Sequence, residues 1–408
     1  MSEIRIKSQG AIKLFESDNT SHVTIASPAS LSANRTITIP DADVNLTNVN
    51  SIPTLRPNVS PLIINGDMQV AQRGASFSQP DTNNDAYPVD RFSFQTGAIG
   101  VYTSTQETLS SGAAYDDGFR KAARIDCTTA QASPAAGDYF WFQYKMEAQD
   151  CLLFKKGTSS AEKMTVAFWV KSNKTGTSQL TVKDGDNDRI CAGTYAISSA
   201  NTWEHKIINI AADTSGAFNN DNGAGFIFEW WLGAGSSYSS GTVPTAWEAR
   251  TDADRGVQNL SINDNTANDW AITGIQVEVG EYTSSTIPPF QHESYGDNLM
   301  RCSRYFQLMA RGLVGRGQTS TTCSVGGTFP NGQMRATPTI TLHASGLASS
   351  IQTPGVDAYD ISSLASSGGN SLGIFVKFNT DGSPAISAGA IMVTNGNDNP
   401  LLLMSAEL

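Results

Sequence analysis

The runs MTVAFWVKS (residues 164–172) and GFIFEWWL (residues 225–232) are the clearest strand patterns in this sequence. Both are rich in the β-branched and aromatic residues that favour strands. Apolar residues stand at consecutive positions in each run, from Phe168 to Val170 and from Phe226 to Phe228. A strand with one face in water alternates apolar and polar residues instead. We therefore expect sheets that are covered on both faces, as in a jelly-roll β-sandwich.

Similar runs recur between residues 62 and 290, separated by turns rich in Gly, Asn, Asp and Ser. The predicted strands cover residues 92–96, 122–127, 139–146, 164–172, 179–183, 202–210, 225–232, 257–262 and 271–278. Residues 147–156 interrupt the pattern and are consistent with a short helix. This spacing predicts a central jelly-roll domain over residues 62–290.

The segments around this domain predict a mostly β protein in five parts. Residues 1–48 predict an N-terminal β-hairpin segment, with the turn Asp-Asn-Thr-Ser at 18–21 and alternating residues at 34–40. Such hairpins are marginal alone, so we expect this segment to dock on a partner. Residues 49–61 form a Pro-rich linker.

A helix and a second, small β domain are predicted after the jelly roll. Ser294 or Asp297 can cap a helix in the segment 291–312, and Gly312 can end it. Apolar residues fall at helical spacing along it, at Leu299, Cys302, Phe306 and Met309. Residues 313–408 carry further strand patterns at 339–343, 373–379, 391–394 and 401–406.

Composition excludes several classes of partner. The 408 residues contain 27 Lys and Arg against 38 Asp and Glu, so the net charge is −11. Because no basic cluster is large enough to neutralise a run of phosphates, we expect no nucleic-acid partner. No apolar run approaches the length of about 20 residues that spans a membrane. The N-terminus also lacks the apolar core of a signal peptide, so we expect a protein made in the cytoplasm, without membrane insertion.

The cysteines predict no metal or disulfide chemistry. Their total of five is odd, and no CxxC spacing occurs among them. We expect free, buried thiols that act as small apolar side chains, at Cys127, Cys151, Cys191, Cys302 and Cys323.

Four stretches of the sequence resemble one kind of viral protein. They are KLFE with HVTIASP and TITIPDAD (residues 13–16, 22–28 and 36–43); INGDMQVAQRG with YPVDRF (64–74 and 87–92); IQVEVG (275–280); and PFQHESYG with RCSRYF, FP and MRATPT (289–296, 301–306, 329–330 and 334–339). These stretches are similar to bacteriophage tail-fibre and receptor-binding appendage proteins, especially those of marine and cyanobacterial phages, whose jelly roll is carbohydrate-binding-like.

The resemblance implies a virion structural protein that attaches non-covalently to a bacterial host surface, with a glycan as the expected receptor. It also implies a homotrimer whose residues 1–48 anchor it to other tail proteins, while the C-terminal domain forms the tip. An alternative is a capsid or tail decoration protein, or an adaptor, without host contact. The other alternative is a depolymerase that cleaves host polysaccharide with paired carboxylates. We expect no enzyme, because the sequence has no GxSxG, HExxH or Walker motif.

Two sets of residues are candidates for ligand binding. Aromatic rings bind the apolar faces of sugars, and Trp231, Tyr238 and Trp247 lie in or near one predicted loop region. The alternative is that these rings fill the core. In DGDND, the carboxylates of Asp184, Asp186 and Asp188 alternate as in a calcium loop, but the same residues also form ordinary turns. Calcium is the one cofactor that the sequence suggests.

Overall fold

A computed structural model describes residues 11–15, 22–26, 60–79, 85–309, 313–343, 351–353, 358–382, 385–394 and 401–408. The chain divides into two compact units, residues 1–54 and 55–408. In the first unit, strands β1 (Ala11–Phe15) and β2 (His22–Ala26) form an antiparallel hairpin. The first predicted hairpin is therefore confirmed. The strand predicted at 34–40 and nearly all of the predicted linker lie outside the described residues.

Thirteen strands of the second unit form a β-sandwich, which confirms the predicted sandwich fold. They are β3 (Ser76–Gln79), β4 (Asp85–Val89), β5 (Phe92–Gly97), β6 (Val101–Thr108), β7 (Lys121–Thr129), β8 (Tyr139–Glu147), β9 (Met164–Ser172), β10 (Gly176–Asp184), β11 (Arg189–Ile197), β12 (Glu204–Ile210), β13 (Ala224–Ala234), β14 (Glu248–Ala249) and β15 (Asp269–Val279). One sheet has the order β14-β11-β10-β13-β8-β5-β4, and the other has the order β12-β9-β15-β7-β6-β3.

Aromatic residues fill the core between the two sheets. Phe142 on β8 contacts Trp230 on β13, with ring centroids 5.9 Å apart, and Trp270 on the opposite sheet, at 5.6 Å. These residues alternate along their strands with residues that face outward. Trp231 faces outward and is nevertheless buried, because a later segment of the chain covers it. Such covering explains why apolar residues stand at consecutive positions in β13.

Differences from the predicted strands occur where the sequence is polar or where a loop is apolar. Strands β3, β4, β6, β11 and β14 were not predicted; β6 was missed because its run VYTSTQET contains few apolar residues. The strand predicted at 257–262 is wrong, since this segment is irregular and ends in the 3₁₀ turn Ile262–Asp264. The short helix predicted within 147–156 is confirmed as the 3₁₀ helix Ala148–Phe154.

The helix predicted at 291–312 is shorter than expected. Two one-turn helices, α1 (Ala113–Asp116) and α2 (Ser236–Ser239), precede it in the chain. Helix α3 covers Tyr295–Ser303, and the Ser294 Oγ accepts the backbone N–H of Asp297 at its start, as predicted. Phe306 and Met309, predicted to lie on the helix, belong instead to strand β16 (Phe306–Met309). The backbone groups of this segment form hydrogen bonds with the last strand of the chain. These bonds favour a strand, although the apolar residues of the segment have helical spacing.

The C-terminal part forms two further sheets over its own core. After β16, the strands are β17 (Val314–Thr319), β18 (Thr322–Thr328), β19 (Thr339–Leu342), β20 (Ile351–Gln352), β21 (Ala358–Tyr359), β22 (Ile361–Gly369), β23 (Gly373–Thr380), β24 (Ile391–Thr394) and β25 (Leu402–Ser405). The small sheet has the order β16-β25-β19, and the large one has the order β21-β20-β24-β17-β18-β23-β22. Cys323, Val376, Phe378 and Met404 are among the core residues.

Ion pairs join this part to the sandwich within one compact unit. Glu407 pairs with Arg91 at 2.5 Å and with Arg73 at 3.0 Å, and the three side chains are largely buried. All five cysteines are buried and free, as predicted. No helix among the described residues is long and apolar enough to cross a membrane.

Candidate functional site

An aromatic cluster lies on the outer face of the seven-stranded sheet of the sandwich. Tyr139 and Trp141 stand two residues apart on β8, and their rings stack with centroids 4.4 Å apart. Residues two apart on a strand share a face, so these rings lie opposite the core. On the neighbouring strand, Trp231 pairs with Trp141 in register, and the two ring centroids are 4.7 Å apart.

The loop after β13 adds a fourth ring. Tyr238 lies in the short helix α2 (Ser236–Ser239), 5.4 Å from Trp231 and 5.8 Å from Tyr139 between ring centroids. Farther along the chain, the backbone of Gly256 lies against the Trp231 indole, and a Cβ at this position would stand 2.4 Å from the ring. As a result Trp231 is fully buried, whereas Tyr139 and Tyr238 are partly exposed.

A buried ion pair lies against three rings of the cluster. The Arg255 guanidinium lies 4.9 Å from the Trp141 ring, 5.3 Å from that of Trp231 and 5.5 Å from that of Tyr238. Two of its nitrogens donate to the Glu229 carboxylate, at 2.7 and 3.1 Å. Burial acts to lower the pKa of Arg255, but the Glu229 charge and hydrogen bonds outweigh it and raise the pKa. Arg255 is therefore charged, and this cation faces three ring systems.

Polar residues of β10 fix the segment that carries Arg255. The amide group of Gln179 donates to the backbone oxygens of Asp254 and Arg255, at 2.9 and 3.0 Å. The hydroxyl of Thr181 donates to the same Arg255 oxygen at 2.6 Å. Because strand residues hold this segment, the cluster rests on a rigid scaffold.

Two indole donors of the cluster, at Trp141 and Trp231, have no partner among the described residues. Trp141 is only 8% exposed, and its Nε1–H makes no hydrogen bond in the described structure. An indole N–H usually finds a partner when it is buried. Burial first, and then the nearby Tyr238, raise the pKa of Tyr139, which keeps its hydroxyl protonated at neutral pH. Ring faces beside such donors can bind a ligand that has both apolar faces and hydroxyl groups.

The three aromatic residues singled out from the sequence have different surroundings. Trp231 is inaccessible under Gly256, so it supports the cluster and offers no face to a ligand. Tyr238 is part of the cluster and partly exposed. Trp247 lies elsewhere, where its Nε1 donates to the Ala211 oxygen at 2.7 Å and its ring packs on Phe226.

Sequence reasoning did not select Tyr139, Trp141 or Arg255. The strand at 139–146 was predicted, but aromatic residues occupy both of its faces, so the pattern does not show which ring points outward. A usable signal was present in the alternate set Tyr139, Trp141 and Gln143, since a polar residue in register with two rings indicates the outer face. Nothing local connects Arg255 to Glu229, which is 26 residues away.

The predicted calcium loop is organised around a lysine. The Asp184 carboxylate is fully buried and pairs with the Lys156 ammonium at 2.5 Å. The Asp186 carboxylate accepts from Asn219, and the Asp188 carboxylate pairs with Arg250 at 2.6 Å. The three carboxylates thus face three different partners. No group of His, Cys, Asp or Glu among the described residues is arranged to hold a metal ion, so the geometry speaks against calcium here.

Comparisons with known proteins give structural similarities only. No family model and no curated protein matches the sequence. A domain of tailspike protein 4 of bacteriophage CBA120 is 12% identical over 54% of this chain and 21% of its own, with a TM-score of 0.27. A putative sugar binding protein from Bacteroides thetaiotaomicron is 12% identical over 54% of this chain and 100% of its own, with a TM-score of 0.29. A family 11 carbohydrate-binding module from Clostridium thermocellum is 10% identical over 52% of this chain and 98% of its own, with a TM-score of 0.26. At such scores, no ligand or activity is transferred to this chain.

Proposed function

We propose that this protein is a virion appendage of the tail-fibre type that attaches non-covalently to a glycan on a bacterial surface. The resemblance of four stretches to phage receptor-binding proteins supports the virion role. The aromatic cluster on the sandwich supports the ligand class and is the observation that carries the proposal.

The exposed part of the cluster suits a sugar chain. Tyr139, at the start of β8, and Tyr238 present partly exposed rings on the outer face of the sheet. A saccharide ring has an apolar face that can pack on such rings. Because the Arg255 cation beside the rings already pairs with Glu229 and with Asp252, this site offers no free cation and favours an uncharged sugar.

Weak single sites are enough if several copies act together. In the proposed assembly, residues 1–48 anchor a homotrimer to other tail proteins, and each chain presents one aromatic cluster. Linked sites bind by avidity, which can exceed the single-site affinity by about 10²–10⁴-fold. Light scattering tests the assembly, since a trimer is three times the mass of the 43.4 kDa chain. A monomer at micromolar concentration would contradict it.

Binding of labelled protein to a panel of bacterial strains and their purified envelope polysaccharides tests the function. The variant Tyr139→Ala/Tyr238→Ala removes the accessible rings, each worth about 1 kcal/mol. We expect binding to fall by at least about tenfold. Tyr295→Ala removes an exposed ring outside the cluster and serves as the matched control. Equal binding by the cluster variant and the control would refute the proposed site, and release of reducing sugar would favour the depolymerase alternative.

A further inference from the structure

A trough runs along β18 on the outer face of the large C-terminal sheet. The residues of β18 that face outward are small: Thr322, Ser324 and Gly326. Cys323 and Val325 alternate with them and are fully buried in the core. Since Gly326 has no side chain and Ser324 a short one, the floor of the trough lies close to the backbone.

Larger side chains of the two flanking strands form the walls. The register places Gly326 between Val314 on β17 and Phe375 on β23. These two apolar side chains are 56% and 54% exposed. An exposed phenyl ring beside a glycine floor is an open platform, and no described residue covers it. Such exposed apolar groups on one face indicate a binding surface.

The next row across the sheet carries two cations. The same register places Ser324 between Arg316 and Lys377. Across two strand spacings, the Cα atoms of these cations lie about 10 Å apart. Neither side chain makes an ion pair or a hydrogen bond in the described structure, although most arginines and lysines of the sandwich do.

Ser324 provides an independent indication of a ligand. The residue is 6% exposed, and its hydroxyl has no hydrogen-bond partner in the described structure. Buried hydroxyl groups are normally paired, so this one needs a partner that the described part of the chain does not supply. It stands between two unpaired cations, where an anionic oxygen would be attracted by both and could accept the hydroxyl proton.

We propose that this trough binds an anionic polysaccharide through Arg316, Ser324, Lys377 and Phe375. The two cations and the hydroxyl receive a carboxylate, sulfate or phosphate group, and the phenyl ring packs on the adjoining sugar. The inference rests on the proposed function for its ligand class and adds a second site, specific for charged glycans. The two sites are on separate sheets and have different charge, so they can be tested separately.

The net charge of the chain argues against unspecific binding of polyanions. With a net charge of −11, the protein repels polyanions in general. Binding to a polyanion therefore requires a local set of cations that are free of internal partners. Within the residues that the structure describes, the trough has such a set, and it lies beside an exposed ring.

Binding to immobilised polygalacturonate and dextran sulfate, with uncharged dextran as reference, tests the inference. We expect the protein to bind at least one charged polymer and to release it as salt rises. Arg316→Gln/Lys377→Gln should lower the affinity by about 100-fold, because two charge-assisted contacts are lost. Arg120→Gln/Lys121→Gln is the matched control, since neither of these side chains forms an ion pair. Equal loss in both variants, or no binding by the unchanged protein, would overturn the proposal.

Two further measurements separate a glycan site from a simple anion site. Phe375→Ala should weaken polymer binding about tenfold and leave competition by inorganic phosphate unchanged. If free phosphate competes as effectively per charge as the polymer, the site binds ions only and the proposal fails. Tyr139→Ala/Tyr238→Ala should retain full polygalacturonate binding. Polygalacturonate binding therefore tests the trough alone, and it can succeed or fail independently of the test of the aromatic cluster.

Discussion

Removal of Arg255 should destabilise the sandwich strongly, because it leaves a buried carboxylate without its partner. Glu229 is 2% exposed at its side chain and receives two hydrogen bonds from Arg255. Breaking a buried pair from one side costs about 3–5 kcal/mol. The contacts of the guanidinium with three rings add to this loss, so we expect Arg255→Met to lower the free energy of unfolding by about 4 kcal/mol.

Urea unfolding followed by tryptophan fluorescence measures this effect in the relevant region. All seven tryptophans of the chain lie between residues 141 and 270, so the signal reports the sandwich. The double variant Arg255→Met/Glu229→Gln removes both charges, and we expect it to recover most of the lost stability. A cost below about 1 kcal/mol for the single variant would refute the reasoning, since a buried unpaired charge costs more. No recovery in the double variant would refute it too.

Three other changes test contacts of the same compact unit. Burial acts to raise the pKa of Glu147, but hydrogen bonds from Arg304, Tyr305 and Gln149 outweigh it and lower the pKa below its usual 4.5. Its contribution to stability is present above pH 4.5 and is lost as pH falls through the lowered pKa, so the cost of Glu147→Gln in urea unfolding should be largest near pH 7 and vanish in acid. Gly256→Ala places a methyl group against Trp231 and should lower stability by about 1–3 kcal/mol and shift tryptophan emission to the red; unchanged emission and stability would contradict this. Glu407→Gln weakens the pairing with Arg91, so limited proteolysis should release the C-terminal part faster than in the unchanged protein.

Much of the fold follows from local patterns in the sequence. The run at 164–172 is a strand with the predicted bounds, because its β-branched and aromatic residues pack on both faces. The start of α3 follows from Ser294, whose hydroxyl caps the first turn. Where the helix ends could not be predicted, because β16 pairs with β25 about a hundred residues later.

The candidate site depends on contacts that one sequence does not display. Tyr238 was selected because it lies in a loop rich in glycine and serine that follows a strand, and the structure places it in the cluster; its contact with a glycan stays a prediction. Trp231 was selected because Trp230 and Trp231 are adjacent on a predicted strand and must face opposite sides, but the later approach of Gly256 buries it. The carboxylates of DGDND suggested calcium, whereas Lys156, distant in sequence, supplies the positive charge for Asp184.

Hydroxyl-radical footprinting with and without a bound envelope polysaccharide tests most directly whether the aromatic cluster holds the glycan. The polysaccharide used is the one that the protein retains in the binding panel. We expect oxidation of Tyr139 and Tyr238 to fall on binding, while the exposed Tyr295 reacts as before. Unchanged oxidation of both cluster tyrosines, with protection at Trp247 or elsewhere on the sandwich, would contradict the account.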